Sequence, residues 1–194
     1  MSIGRPPTTT HAQIESVALA LFSENGFEET TVDDIAAAVG VARRTIFRYF
    51  ASKNDMVWGD FGAVIVRLRD AFAAAPDDAP LTEALRRAVV ASNRYDPEQL
   101  PDLRIRMSLI TTVPALQGHS MLRYAAWRNA VAELAAPRMG AQPGDLGPQA
   151  LGSAALGASM AAFDRWVSNP GEDLEQCLEE AYRLLANGFD PDAI

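Results

Sequence analysis

Lysine is almost absent from this chain. Lys53 is the only one among 17 basic residues in 194, and 25 acidic residues leave a formal charge of −8. Cysteine is as scarce: Cys177 alone excludes an internal disulfide and any cysteine-built metal cluster. The two histidines, His11 and His119, have no metal-ligand spacing to each other or to Cys177, so no metal is expected. HExxH, P-loop and GxGxxG motifs are all missing, so no cofactor is expected either. No window approaches the roughly 18 unbroken apolar residues of a membrane span. The N-terminal MSIGRPPTTTH lacks the apolar core of a secretion signal. These absences point to a cytoplasmic protein with no membrane partner.

Catalytic signatures fail on the same inspection. GHSML, residues 118–122, begins like the G-x-S-x-G nucleophile elbow, but Leu122 replaces the second glycine. No β-branched run precedes it to form the strand an elbow needs, and a helical pattern follows directly. GASMA at 157–161 lies inside a helical stripe and fails likewise. His119 is next in sequence to Ser120, an unsuitable arrangement for a triad base. No catalytic residue is assigned, and an enzyme is not expected.

What is present is helical period. Strand-like alternation is nowhere sustained, while Ile14, Val17, Ala18, Leu21 and Phe22 form an i, i+3, i+4, i+7, i+8 stripe ended by Gly26. TTVDDIAAAVG follows, with Thr31 and Asp34 spaced as a capping box and Gly40 as the stop. A second short helix reads ARRTIFRYF, and Ser52 caps a longer one expected to run from Lys53 to about Ala75. Further breakers at PDDAP, DPEQLP, Pro114 and PRMGAQPGDLGP separate five more helical segments. The fold class is all-α, with about nine helices.

An acidic chain is a poor partner for nucleic acid, yet GVARRTIFRYFASKNDM, residues 40–56, holds Arg43, Arg44, Arg48 and Lys53 with no acid before Asp55. Two short helices joined at Gly40 and held on a longer one make a helix-turn-helix. On the second, Arg43, Arg44, Phe47 and Arg48 share roughly a 140° arc, and Ile46 points away into a three-helix core. Arginine reads guanine by a bidentate bond, and Thr45 or a ring edge can meet a thymine methyl or a sugar. Lys53 and Thr31, each at a helix start, suit phosphate oxygens. The stiff arm GRPP carries Arg5, which a narrow minor groove would attract.

The run TTVDDIAAAVGVARRTIFRYFASKNDM resembles the TetR family of bacterial transcriptional regulators. MVWGDF, TVPALQGHSM and YAAWR are similar to the branch that regulates mycofactocin maturation genes. The resemblance implies residues 1–56 as a reading head with its arm, and 57–194 as an effector-binding and dimerisation part. It implies DNA contacts at Thr31, Thr45, Phe47, Tyr49 and Lys53. Two departures stand out: the family often has tyrosine at Phe47, and Ala42 replaces the usual Ser or Thr cap.

A twofold DNA site requires a twofold protein. The Ala- and Gly-rich segment 149–167 allows close helix approach, and Leu174, Leu178, Ala181 and Leu185 form a stripe on the last helix. By resemblance these would pair with a second copy in a four-helix bundle. Met107, Tyr124, Trp127, Met160, Phe163 and Trp166 could line an apolar effector pocket, or simply form core. Arg104, Arg106, Arg123 and Arg128 flank the same segments and could hold an anionic group. A long-chain acid or acyl-coenzyme A is the expected ligand class, released DNA the expected response.

Overall fold

The computed structural model describes residues 9–190. Among them all regular structure is helical: α1 (His11–Asn25), α2 (Val32–Val39), α3 (Arg43–Tyr49), α4 (Lys53–Trp58) and α5 (Phe61–Ala73) come first. There follow α6 (Leu81–Ser92), α7 (Leu100–Thr112), α8 (Pro114–Met139), α9 (Leu146–Ser168) and α10 (Leu174–Ala186), with a single 3-10 turn at Pro97–Gln99. The expected all-α class is what the chain adopts.

The helix expected from Lys53 to Ala75 is two helices, which raises the count to ten. Gly59 interrupts it at φ 56° and ψ −146°, a backbone conformation open essentially to glycine alone. Asp60 then restarts the chain, its carboxylate accepting from the Ala63 N–H at 3.0 Å. The loop expected from Pro137 is also later: α8 continues through Pro137 to Met139, because one missing N–H in a last turn loosens the helix without ending it.

Contacts divide the chain into two units. The first comprises α1–α4 with α7, more than forty residues further along the chain. Ile14, Ala18, Leu19 and Phe22 of α1, Ile35 of α2, Ile46 of α3 and Met56 of α4 are its buried apolar side chains. Arg106 of α7 forms an ion pair with Glu15 of α1 and donates to the Val57 carbonyl at 2.7 Å. Both side chains of the pair are largely buried, 15% and 17% exposed. His11, one turn before Glu15, lies 3.5 Å from the same carboxylate.

The second unit holds α5, α6, α9, α10 and α8 from Gln117 onward. Here α10 packs on α9 and α6, and α6 on α5. Its buried residues, Leu174, Cys177, Leu178 and Tyr182, are spaced i, i+3, i+4, i+8. Tyr182 donates to the Ala155 carbonyl at 2.9 Å and shares a hydrogen bond with Ser159 at the same distance, which fastens α10 to α9. Along the other edge Arg94 meets Glu175 and Arg86 meets both Glu83 and Glu179. The Arg86 hydrogen bond holds the Glu83 carboxyl down at about 2.

Candidate nucleic-acid interface

Local sequence explains the reading head. Thr31 caps α2: its hydroxyl accepts from the Asp34 N–H at 3.2 Å, and the Asp34 carboxylate accepts from the Thr31 N–H at 2.8 Å. That closes the capping box the Thr-x-x-Asp spacing predicts and lowers the Asp34 pKa through the Thr31 hydrogen bonds. Gly40 ends α2 at φ 78°, where its N–H and that of Val41 return to the carbonyls of Ala37 and Ala36. Ala42 offers α3 no side-chain cap, as its identity predicts. Ile46 is fully buried and anchors α3, so the opposite face is turned outward.

On that face the cations differ from one another. Arg44 is exposed and makes no ion pair or hydrogen bond among the described residues. Phe47, 43% exposed, stands beside it. Arg43 is paired with Asp33 at 2.6 Å and lies 5.5 Å from the Phe47 ring centroid. An acid that precedes Arg43 by ten residues in sequence is thus its neighbour in space, a contact the unbroken cationic run from 43 to 53 conceals. Arg48 sits 5.1 Å over the Tyr49 ring and reaches its hydroxyl at 3.4 Å. Thr45 is half-buried between Arg44 and Ile46.

Three predicted contacts are engaged within the chain. The Tyr49 hydroxyl donates to the Thr9 carbonyl at 2.7 Å, tying α3 to the residue just before the α1 cap. The Thr31 hydroxyl proton goes to Asp34 at 2.6 Å. The Lys53 ammonium donates to the carbonyls of Phe27 at 2.8 Å and Thr30 at 3.1 Å. Arg5 lies outside the described residues.

The dimer stripe needs correction. Leu174 and Leu178 are buried in the chain's own core, 4% and 0% exposed, and so cannot meet a second copy. Their hydrophobic period serves α6 and α9, whereas Ala181 and Leu185 keep part of their surface. One apolar face left uncovered is on α9, where Leu146, Ala150, Ala154, Gly157 and Ala161 are all exposed at helical spacing.

Of the aromatic and methionine set, Tyr124, Trp127, Met160, Phe163 and Trp166 lie in the second unit and Met107 in the first. Trp127 and Trp166 are buried, Phe163 meets Trp166 edge-on at 6.4 Å, and Tyr124 and Phe163 are half-buried. Burial, with the Asp164 carboxylate nearby, raises the Tyr124 pKa. Arg106 is not a pocket-mouth cation, since Glu15 and the Val57 carbonyl occupy it. Among the described residues no group of His, Cys, Asp and Glu could hold a metal ion, and no helix is long and apolar enough to cross a membrane.

A short helix anchored by one isoleucine and presenting arginines and a ring defines a helix-turn-helix DNA-binding protein. The family profile "Bacterial regulatory proteins, tetR family" matches residues 14–57, and "MftR C-terminal domain" matches residues 79–190. The chain belongs to the TetR family of transcriptional regulators, with an MftR-type C-terminal domain. It is 38% identical over 188 residues to a Mycobacterium tuberculosis (strain ATCC 25618 / H37Rv) protein, provisionally named as the mycofactocin biosynthesis transcriptional regulator MftR. That match covers 97% of this chain and 95% of the relative. The regulator TcmR of Streptomyces glaucescens is 27% identical over 194 residues, covering 94% of this chain and 84% of its own. The fold is shared with the fatty acid degradation regulator FadR of Bacillus halodurans at a TM-score of 0.67 and 22% identity, covering 95% and 98% of the two chains. Thermus thermophilus FadR, a repressor solved with lauroyl-CoA, superposes at 0.60 with 24% identity, covering 93% and 95%.

Proposed function

We propose that this regulator acts in the cytoplasm as a homodimeric repressor that binds a palindromic operator and releases it when a small hydrophobic ligand binds. Residues 1–56 read DNA, and 57–194 bind the effector and dimerise. The observation that carries the reading is Arg44 beside the exposed Phe47 on α3, on a helix fixed from behind by the buried Ile46. Arg44 is the cation of the stretch left uncommitted among the described residues, so it contributes the direct base contact. Arg43 and Arg48, each already leaning on a neighbour, and Thr45 flank it along the groove. Two such helices about 34–36 Å apart, or a multiple of that, would enter successive major grooves.

Arg44→Ala is expected to weaken specific binding by about 1–3 kcal/mol, the size of a lost bidentate base contact. Fluorescence anisotropy on operator and scrambled duplexes measures it, and equal binding of operator by variant and wild type would remove Arg44 from the base-reading role.

Dimerisation is assigned to the exposed face of α9, with Ala181 and Leu185 of α10 beside it. A Cβ built on Gly157 meets nothing within 4 Å, so a side chain there leaves the single chain undisturbed. Gly157→Glu should therefore keep its helical circular dichroism but weaken the dimer by about 3–5 kcal/mol, as an unpaired charge does in a desolvated contact. Sedimentation that still finds a full dimer would move the interface elsewhere.

The effector reading rests on the half-buried Tyr124 and Phe163 beside Trp127 and Trp166, and on a fold shared with a FadR solved with lauroyl-CoA. Long-chain acyl-coenzyme A is accordingly the first ligand class to test. A footprint on DNA upstream of the protein's own gene, with and without acyl-coenzyme A species, decides between outcomes. Twofold protection lost on adding one compound supports both halves of the reading. Protection indifferent to every compound assigns the aromatic set to core, and absent protection at low salt defeats the DNA reading.

A further inference from the structure

The two carboxylates that open α2 have different tasks. Asp34 is committed to the cap: it accepts from the Thr31 N–H at 2.8 Å and from the Thr31 hydroxyl at 2.6 Å. Asp33 takes no part in that box. Its Oδ2 reaches across to the first residue of α3 and accepts from Arg43 Nη1 at 2.6 Å. Both side chains are well exposed, and an exposed pair contributes little to stability. Its main consequence is therefore where it holds the arginine.

A guanidinium carries five N–H donors in a rigid plane. Nη1 lies on the side of the stem, while the Nε–H and one Nη2–H point together from another edge. Asp33 takes Nη1, and neither Nε nor Nη2 of Arg43 donates to any group among the described residues. The Phe47 ring, one turn further along α3, has its centroid 5.5 Å from the Arg43 Cζ. Carboxylate and ring together restrict how the plane can turn, and they leave a two-donor edge free. Two parallel donors of that kind are what bonds the O6 and N7 of guanine.

The charges act in the same direction. Ala42 gives α3 no cap and the first turn holds no acid, so Arg43 sits at the positive end of a helix, where a further positive charge is unfavourable. Asp33 supplies the missing negative charge from the neighbouring helix. The same carboxylate repels a DNA phosphate, which opposes the use of Arg43 as a phosphate clamp and favours a base edge as its partner.

We infer that Asp33 is a positioning residue for base recognition: it orients Arg43 as a second base reader beside Arg44 and lowers affinity for DNA of the wrong sequence. The inference rests on the reading of residues 1–56 as the DNA-reading head. A pair that only braced α2 against α3 would behave differently, because its loss would weaken binding to every sequence alike.

Wild type, Asp33→Ala, Arg43→Ala and the double variant each select from a randomised duplex pool. Their affinities for the sequence selected by wild type and for a scrambled duplex are then measured across a salt series. With side chains 63% and 57% exposed, the two sites should tolerate truncation without loss of helical circular dichroism. Asp33→Asn, which keeps the shape but not the charge, replaces the alanine variant if that one does not fold. Arg43→Ala is expected to lose a preference for guanine at one position of each half-site. Asp33→Ala should relax that same position. It should also bind the scrambled duplex more tightly, with a salt slope steeper by about one unit, as the released arginine finds a phosphate. The ratio of specific to non-specific affinity should fall about tenfold, within the range of one base-pair mismatch. In the Arg43→Ala background, removing Asp33 should change no base preference. Intact base preferences in Asp33→Ala, or an equal loss on both duplexes, overturn the inference. If the wild type selects no sequence at low salt, the DNA reading fails, and the orienting contact is judged on the free protein. There the Arg43 Nε signal, assigned by its absence from Arg43→Ala, should be restricted in wild type and mobile in Asp33→Ala. Equal mobility in the two overturns the contact.

Discussion

Arg106→Ala is expected to destabilise the protein by about 2–4 kcal/mol, slightly below the penalty for breaking a fully buried ion pair because both partners keep some solvent contact. The arginine closes three things at once: the Glu15 carboxylate on α1, the Val57 carbonyl at the end of α4, and the space over Gly59. A Cβ on Gly59 would stand 2.5 Å from the Glu15 Oε1 and 2.6 Å from the Arg106 Nη1, so the absent side chain is what admits the pair. Truncation leaves the Glu15 carboxylate, 17% exposed, and the carbonyl of the buried Val57 without their arginine donor. Thermal unfolding of a chain this size should shift by roughly 2–4 °C per kcal/mol. Glu15→Gln and the double variant complete a cycle that isolates the pair from the Val57 bond. If Arg106→Ala unfolds within about 0.5 kcal/mol of wild type, as an exposed pair would, α7 is not held on the head by this arginine.

Gly152→Ala is the second large effect, and its sign is the informative part. In a solvent-facing helix the change would stabilise by up to about 1 kcal/mol, since alanine is the better helix former. Here the new methyl carbon would lie 2.6 Å from the Arg128 carbonyl oxygen, a backbone atom of α8 that no rotamer change can move. α9 must shift from α8, and a net destabilisation of about 1–3 kcal/mol is expected, as for other overpacked sites. Gly118→Ala in α8 is the control, because nothing lies within 4 Å of its Cβ. Denaturant midpoints of the two variants should move in opposite directions, and a stabilised Gly152→Ala would mean that the two helices do not approach this closely in solution.

The reading head was the most legible part of the sequence because its determinants are local. The Thr31–Asp34 box, the Gly26 and Gly40 stops, the inward Ile46 and the missing cap at Ala42 all act within a few residues, and each is found where the spacing places it. The cationic run was legible as a cluster, but the sharing of its charges was not. Asp33 reaches Arg43, and the 27–30 carbonyls reach Lys53, only because α1 to α4 fold back on one another. The α10 stripe misled for a related reason. Period identifies a face that will be buried, and it is silent on whether α6 and α9 or a second copy buries it.

The amino-acid sequence by itself determined the class of the protein: an all-helical regulator whose short α3 carries arginines and a ring outward, and whose caps and stops set helix ends. These follow from hydrogen bonds and side-chain directions that repeat within one or two turns. The tertiary structure decided which cations of the 43–53 run are engaged within the chain, that Gly59 splits the expected long helix, and that Arg106 ties α7 to α1. Each of those depends on partners 10 to 91 residues apart or on a backbone twist that only packing can hold. Pairing over such separations is selected by the packed core as a whole, because no single contact offsets the chain entropy of bringing its partners together.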